Sequence, residues 1–331
     1  MKKSKFYTLG ISLLFMGLYA HVLLKLYKYT HNLHPFILGD WLINFEGEQF
    51  RRRGLSGEFF FLIQDITGFS LPDIVFIIQM LFIAIFLFFT LLLVVKNSSK
   101  EALYPIVFLL PTTLLFWIND GFSVGRKEIM LLATFSVSVY LLSINKIKTS
   151  VIIALGVWLG ICCLFHELVL FYLPYFIFLL ILAKKNTISN YLFLLLPSII
   201  CVLCLLFFGD MQFSNGKTMD ILSQRGVINM SDALINFKEA KILSTNIKRT
   251  VTYIYPLLFS LLLIFVYELI YKKKITVVYL FILALLFSLP LFLKATDWGR
   301  WIFIHSVLSV LLLSVIKSRT IHTYIHTYIR A

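Results

Sequence analysis

The chain has 331 residues, of which 60% are hydrophobic, 14% are charged and 33 are phenylalanine. A soluble domain carries about 25% charged residues, so this composition, with a mean hydropathy of +0.91, excludes a soluble protein. The formal charge of +14 then indicates lysines and arginines in the loops of a membrane protein, and we expect no nucleic-acid partner.

The apolar segments predict an all-α polytopic membrane protein that forms one integral membrane domain over residues 1–331. A helix needs about 20 apolar residues to cross the bilayer. About ten segments approach this length, at 6–27, 71–95, 102–118, 129–144, 150–165, 167–183, 190–208, 250–271, 275–293 and 301–316. The short run Phe59–Ile63 predicts an interfacial helix instead.

An even number of spans puts both termini on one side of the membrane, here called side A. Side A has lysine-rich loops, in which the acids are Glu101 and Glu268. The opposite side, side B, holds the first outer loop (28–70) and a large outer loop (209–249), and it carries fourteen of the sixteen acids and seven of the nine arginines. The lysines before the first span place side A and both termini in the cytoplasm.

The cysteines and the C-terminal tail give no firm sign of a cofactor. Cys201 and Cys204 form a CxxC spacing, which can indicate redox chemistry or a metal, but small apolar residues of a membrane helix are the favoured interpretation. The repeated IHTYIHTYI at 321–329 is more typical of an amphipathic tail near the membrane surface than of a metal ligand set. We therefore expect no metal and no cofactor.

The first polar segment, residues 40–58, follows the first predicted span with the sequence DWLINFEGEQFRRRGLSGE. Its acids include Asp40, Glu46 and Glu48, and its arginines are Arg51, Arg52 and Arg53. Arginine binds phosphate through a planar fork of donors, and a carboxylate can accept a proton. A solvated loop whose arginines contact lipid headgroups is the alternative, but three arginines on side B favour a binding function.

Three further polar segments interrupt the apolar runs on side B. Arg126, Lys127 and Glu128 lie where the third span turns into the fourth, and this group can also be a simple helix start with a paired cap. His166 and Glu167 separate the fifth and sixth spans, and an ionisable pair at membrane depth indicates function more than a polar turn does. Asp297 and Arg300 lie between the last two spans, at a spacing that allows them to pair.

These four segments are predicted to meet on side B and to bind an anionic, phosphate-bearing substrate. The large outer loop is a candidate lid, with a short helix expected over 231–240. Positive charge on side B opposes the predicted orientation, so we expect the arginines there to have a function other than setting the topology.

The motifs DW…N…E…RRRGLSGE, GRKE, HE and DWGRW resemble those of bacterial inner-membrane proteins of surface-polysaccharide synthesis. These proteins include repeat-unit polymerases of O-antigen and exopolysaccharide (Wzy-type) and glycosyltransferases of the GT-C type. The resemblance implies an undecaprenyl-diphosphate glycan as substrate. It also implies a multi-pass protein of the bacterial inner membrane, with the lipid bilayer and other polysaccharide-assembly proteins as partners.

The resemblance also suggests roles for the side-B residues. His166 or Glu167 is expected as base or orienting group, and Arg51, Arg52, Arg53, Arg126 and Arg300 are expected to bind diphosphate. Lys127, Glu128 and Asp297 are expected to support them. GT-C enzymes use an acid of the first outer loop as base, which implies Asp40, Glu46 or Glu48. A transporter of lipid-linked sugars is less favoured, because the spans carry few charges and no repeat is evident.

Overall fold

The computed structural model describes residues 2–45, 50–98, 101, 103–209, 217–228, 247–294 and 297–316. These residues are all-helical and form no β-strand, which confirms the all-α part of the prediction. The α-helices, numbered in chain order, are α1 (Lys2–His31), α2 (Gly54–Thr67), α3 (Leu71–Ser98), α4 (Tyr104–Phe108), α5 (Phe116–Asn119), α6 (Glu128–Ser143), α7 (Thr149–Phe165), α8 (Leu173–Leu182), α9 (Ile188–Phe208), α10 (Lys217–Gln224), α11 (Ile247–Tyr267), α12 (Thr276–Phe287), α13 (Leu289–Lys294) and α14 (Trp298–Leu313).

Four helices of the described chain are long and apolar enough to cross a membrane: Phe6–His31, Leu71–Ser98, Ile188–Phe208 and Thr252–Lys272. Five further apolar helices, of 10–17 residues, coincide with other predicted spans. By length and composition these helices suggest a membrane protein, while the count of ten spans and the position of the termini stay predictions.

The predicted span at 102–118 is a broken helix. Its two short helices, α4 and α5, are separated by a turn at Pro111, which has no backbone N–H to donate. The Thr113 hydroxyl can donate to the carbonyl of Val107 at 2.9 Å or to that of Phe108 at 2.6 Å, and it accepts from the N–H of Leu110 at 3.1 Å. The Phe108 carbonyl also accepts the N–H of Leu114 at 3.0 Å, so backbone groups at the break find partners in an apolar environment.

Helix α14 forms the centre of the bundle. Every residue from Arg300 to Leu313 is buried. On the broken segment, the Tyr104 hydroxyl donates to the carbonyl of Val310 at 3.1 Å, and the Phe116 and Phe303 rings stack at 4.9 Å. Polar residues of this helix can be buried because they are paired inside the bundle, as His305 is with the hydroxyls of Tyr175 at 3.0 Å and Ser288 at 2.9 Å.

Contacts between helix ends fall into two groups that correspond to the two predicted sides. On side A, Lys96 donates to the carbonyl of Ser143 at 2.6 Å, and Lys272 lies 2.5 Å from Glu101. On side B, Lys25 donates to the carbonyl of Ile118 at 3.0 Å. Each contact joins ends that the predicted alternation of spans puts on the same side.

The described part of the large outer loop, residues 217–228, lies against helix α2 of the first outer loop. The sequence predicts a short helix at Phe59–Ile63, and α2 covers this run and extends beyond it. Arg225, just after α10, pairs with Asp65 at 2.8 Å and lies over the Phe61 ring at 4.3 Å. The helix predicted over 231–240 and the tail at 321–329 lie outside the described residues.

The orientation of the bundle can be tested by labelling single cysteines in a variant without the four native ones. Thr67→Cys, on side B, should react with a membrane-impermeant maleimide in intact cells. Lys146→Cys, on side A, should react only after the cells are permeabilised, because the bilayer excludes the reagent. The reverse labelling pattern would place side B in the cytoplasm.

Candidate functional site

The first outer loop is fixed to the turn before α6 through the backbone of Gly125. The carbonyl of Gly125 accepts a hydrogen bond from the indole of Trp41 at 2.7 Å and one from the Gln79 amide at 2.8 Å. The same amide donates to the carbonyl of Ile37 at 3.0 Å. Gly125 has a φ of +72°, and a Cβ there would overlap Leu26, so this position requires glycine. These bonds place Asp40 beside the turn at 125–128.

The three arginines are positioned by the start of α2. Arg53 caps this helix with a left-handed φ of 67°. Three residues into the helix, the N–H of Gly57 donates to the carbonyl of Ile43 at 2.9 Å, and a Cβ on Gly57 would meet that same oxygen. Gly57, the second glycine of the RRRGLSG motif, therefore allows α2 to approach the preceding loop closely.

Arg53 joins the first outer loop to the turn between α7 and α8. Its guanidinium donates twice to Glu167, at 3.0 Å from Nε and 2.8 Å from Nη2. Arg52 lies 3.0 Å from the same carboxylate, and Nη1 of Arg53 is 3.7 Å from Asp40. Both oxygens of Glu167 are thus occupied by arginine, which favours an orienting role for Glu167 over that of a base.

Glu128 joins the turn before α6 to the two other polar segments. Its Oε1 lies 3.3 Å from Nε of Arg300 and 3.6 Å from Nε2 of His166. Arg300 also donates to Asp297 at 2.7 Å. Nε of Arg126 is 3.9 Å from Asp40, which connects this group to the first one.

The predicted meeting of the four segments is confirmed by these ion pairs. The cationic side chains that these interactions bring together are Arg52, Arg53, Arg126, Lys127 and Arg300, and the carboxylates are Asp40, Glu128, Glu167 and Asp297. Arg51, also predicted to bind diphosphate, is buried. With a neutral His166, this described set has one more positive than negative charge. Glu46 and Glu48, also predicted as site residues, lie outside the described residues.

Burial and neighbouring charges set the ionisation of the cluster. Burial raises the pKa of Asp40, but Lys127, Arg126 and Arg53 outweigh it and hold that pKa well below its usual range. Burial lowers the pKa of Lys127 to about 8 although Asp40 attracts its charge. Burial, aided by Arg53, also holds the pKa of His166 well below its usual value, so the imidazole is neutral at neutral pH.

The hydrogen bonding of His166 assigns its tautomer. Its Nδ1 accepts the N–H of Leu168 at 3.3 Å and thereby caps the 3₁₀ turn Glu167–Tyr172. A neutral imidazole that accepts at Nδ1 carries its proton on Nε2, and Nε2 faces Glu128. In this arrangement the ring has no free lone pair for a substrate proton, so it acts as a donor.

A small cavity lies beside this group, and the empty space of about 240 Å³ around it includes open solvent. Arg126, Glu128 and Arg300 form its polar wall, and Trp117 and Phe303 belong to its apolar wall. Within the described chain, Nε of Arg126, Nε of Arg300 and both oxygens of Glu128 are buried without a hydrogen-bond partner. Buried polar groups are normally paired, so this wall is suited to a polar ligand.

In the described ranges, no three His, Cys, Asp or Glu side chains lie close enough to hold a metal ion. Comparisons of the chain with family models, with curated proteins and with solved structures give no match.

Two contributors to the site were not predicted from the sequence. Gln79 holds the first loop against Gly125, and it is the one amide within the apolar run from Ile74 to Val95, a signal that could have identified it. Trp117 lines the cavity, but an aromatic residue near a span end is ordinary anchoring. Its role follows only from the break between α4 and α5.

Removing the carboxylate of Glu167 should destabilise the protein strongly. Glu167→Gln removes the largely buried carboxylate that Arg52 and Arg53 share, and breaking a buried pair costs about 3–5 kcal/mol. The matched control is Asp65→Asn, which breaks the pair of a carboxylate that is 58% exposed and should cost less than about 1 kcal/mol. Thermal unfolding in detergent compares the two, and similar small shifts would contradict the structural role of Glu167.

Proposed function

We propose that this chain is a membrane glycosyltransferase that joins lipid-linked oligosaccharide repeat units into a surface polysaccharide. The donor would be a glycan on undecaprenyl diphosphate, and the acceptor a sugar hydroxyl of a second lipid-linked unit. The observation that carries this proposal is the buried cluster of arginines and carboxylates beside a cavity at one end of an apolar helix bundle.

The excess of positive charge supports an anionic substrate. Arg126 and Arg300 share the cavity wall, and each has a buried Nε without a hydrogen-bond partner among the described residues. Two buried guanidiniums repel each other, and an anion between them relieves that repulsion. A diphosphate offers several acceptor oxygens to such a pair of planar donors.

The apolar surroundings support a lipid-linked substrate. The cavity has Trp117, Leu132 and Phe303 on its wall, and the described chain has four helices long and apolar enough to cross a membrane. A water-soluble sugar nucleotide needs no such position, whereas a polyprenyl carrier reaches the site from the bilayer.

The proposed reaction requires two kinds of group. A proton acceptor removes the hydrogen of the attacking hydroxyl, and fixed positive charge stabilises the departing diphosphate. The cluster contains carboxylates for the first task and arginines for the second. The proposal places the site on the outer face of a bacterial inner membrane, with other polysaccharide-assembly proteins as partners.

A GT-C transferase that adds a single sugar from a polyprenyl-phosphate donor is the second candidate. Asp40 favours it, because this buried carboxylate lies in the first outer loop, where the resemblance implies a base, and its Oδ2 has no hydrogen-bond partner in the described chain. The low pKa of Asp40 speaks against it, since a base works best with a pKa near the working pH.

Deletion of the gene in its own host separates the two candidates. The surface glycan is resolved on a gel, and the lipid-linked intermediates are identified by mass spectrometry. Loss of a polymerase leaves one complete repeat unit on the lipid carrier. A truncated unit would instead identify a single-sugar transferase, and an unchanged glycan would contradict both.

The diphosphate site can be tested by replacing arginine with lysine. Arg126→Lys keeps the charge but loses the planar fork. A hydrogen bond to a charged group contributes about 1.5–3 kcal/mol, so the affinity of the purified protein for undecaprenyl diphosphate should fall about tenfold to a hundredfold. Tryptophan fluorescence can follow this binding, because Trp117 lines the cavity.

Arg225→Lys is the matched control. Arg126 and Arg225 are both on side B and both lie near an aromatic ring, at 5.6 Å from Phe36 and 4.3 Å from Phe61. Arg225 is not part of the cavity wall, so its replacement should leave the affinity unchanged. An equal loss in both variants would mean that the arginines contribute only general positive charge.

A further inference from the structure

Glu128 has a position that the other carboxylates of the cluster lack. It begins α6, its side chain is 5% exposed, and it lies on the wall of the cavity. Neither of its oxygens has a hydrogen-bond partner among the described residues. A buried carboxylate in this state has unused acceptor capacity beside the cavity, and a substrate hydroxyl that enters the cavity can use it.

Among the residues that the structure describes, the other candidates for a base are engaged elsewhere. Glu167 accepts two hydrogen bonds from Arg53. His166 uses Nδ1 as an acceptor for Leu168, which leaves Nε2 as a donor. Asp40 is held ionised by its neighbours Lys127, Arg126 and Arg53, which weakens it as a proton acceptor.

The neighbours of Glu128 orient its carboxylate. Nε of Arg300 at 3.3 Å and Nε2 of His166 at 3.6 Å both face Oε1. This leaves Oε2 as the oxygen for a substrate. Arg300 and Arg126 share the cavity wall with Glu128, so a diphosphate bound by them would lie next to the carboxylate.

We propose that Glu128 is the general base that activates the acceptor hydroxyl. This inference rests on the proposed glycosyl transfer. As the hydroxyl oxygen bonds to the anomeric carbon of the donor, its proton passes to Oε2 of Glu128. The bond from that carbon to the diphosphate breaks, and its electron pair leaves with the diphosphate oxygen. The protonated Glu128 then returns the proton to water or to the departing diphosphate. His166 positions the carboxylate.

The test uses full-length protein in detergent and lipid-linked glycan extracted from the host. Release of undecaprenyl diphosphate is followed by mass spectrometry, and binding of undecaprenyl diphosphate is measured separately. Glu128→Gln keeps the shape of the side chain but cannot take a proton. Its turnover should fall about 10²–10⁴-fold, the usual contribution of a general base, while binding changes less than about threefold.

Glu128→Ala gives a readout that a structural role would not move. It leaves space for a small carboxylate, so added formate should restore part of its turnover. The control is Glu268→Gln, because Glu268 is fully buried at the opposite end of the bundle, where it accepts the N–H groups of Val277 and Val278. This variant should keep its turnover, and formate should not change it.

Three results would overturn the proposal for Glu128. The first is a turnover of Glu128→Gln within about fivefold of wild type, because a base should contribute about 10²–10⁴-fold. The second is a loss of both turnover and binding in Glu128→Gln. The third is a turnover of Glu128→Ala that formate does not raise. Glu128→Asp covers a failure to fold, because it keeps a carboxylate and should retain partial turnover. If the wild type itself releases no undecaprenyl diphosphate, the proposed function fails instead, so the two failures are distinguishable.

Discussion

The geometry of the site depends on the ion pair between Arg53 and Glu167. It connects the start of α2 to the turn between α7 and α8 through two hydrogen bonds, and the side chains are only 22% and 12% exposed. Removing such charges from water is costly, and their attraction compensates only when the geometry is good. The pairing therefore fixes the position of the first outer loop, of Arg52 and of Asp40.

The glycines and the amide of Gln79 serve this same constraint. Gly57 lets α2 approach the carbonyl of Ile43, and Gly125 presents its carbonyl to both Trp41 and Gln79. Backbone and side chains are thus fixed before any ligand binds. Of the unpaired groups in the described cluster, those of Arg126, Glu128 and Arg300 lie along the cavity, whereas Asp40, Lys127 and His166 each have an unpaired atom that does not line it. Unpaired groups on a cavity wall are available to a polar ligand, which a fully satisfied structural network would not offer.

Much of the fold follows from the sequence, because long apolar runs such as Leu71–Ser98 can satisfy their backbone only as helices in a membrane. The meeting of the four polar segments could also be predicted, since alternating spans bring them to one side. The break at Pro111 could not, because it depends on the Thr113 hydroxyl reaching three backbone groups. Nor could spacing show that Glu167 is paired while Glu128 faces a cavity, because that depends on which helices are neighbours.

The central claim is that the side-B cluster binds a lipid-linked diphosphate. Cryo-electron microscopy of the protein in nanodiscs with undecaprenyl diphosphate tests it most directly. The account predicts diphosphate density within hydrogen-bond distance of both Arg126 and Arg300, with the start of the isoprenoid chain near Trp117 and Phe303. An empty cavity at saturating lipid, or diphosphate bound only at the lysines of side A, would contradict it.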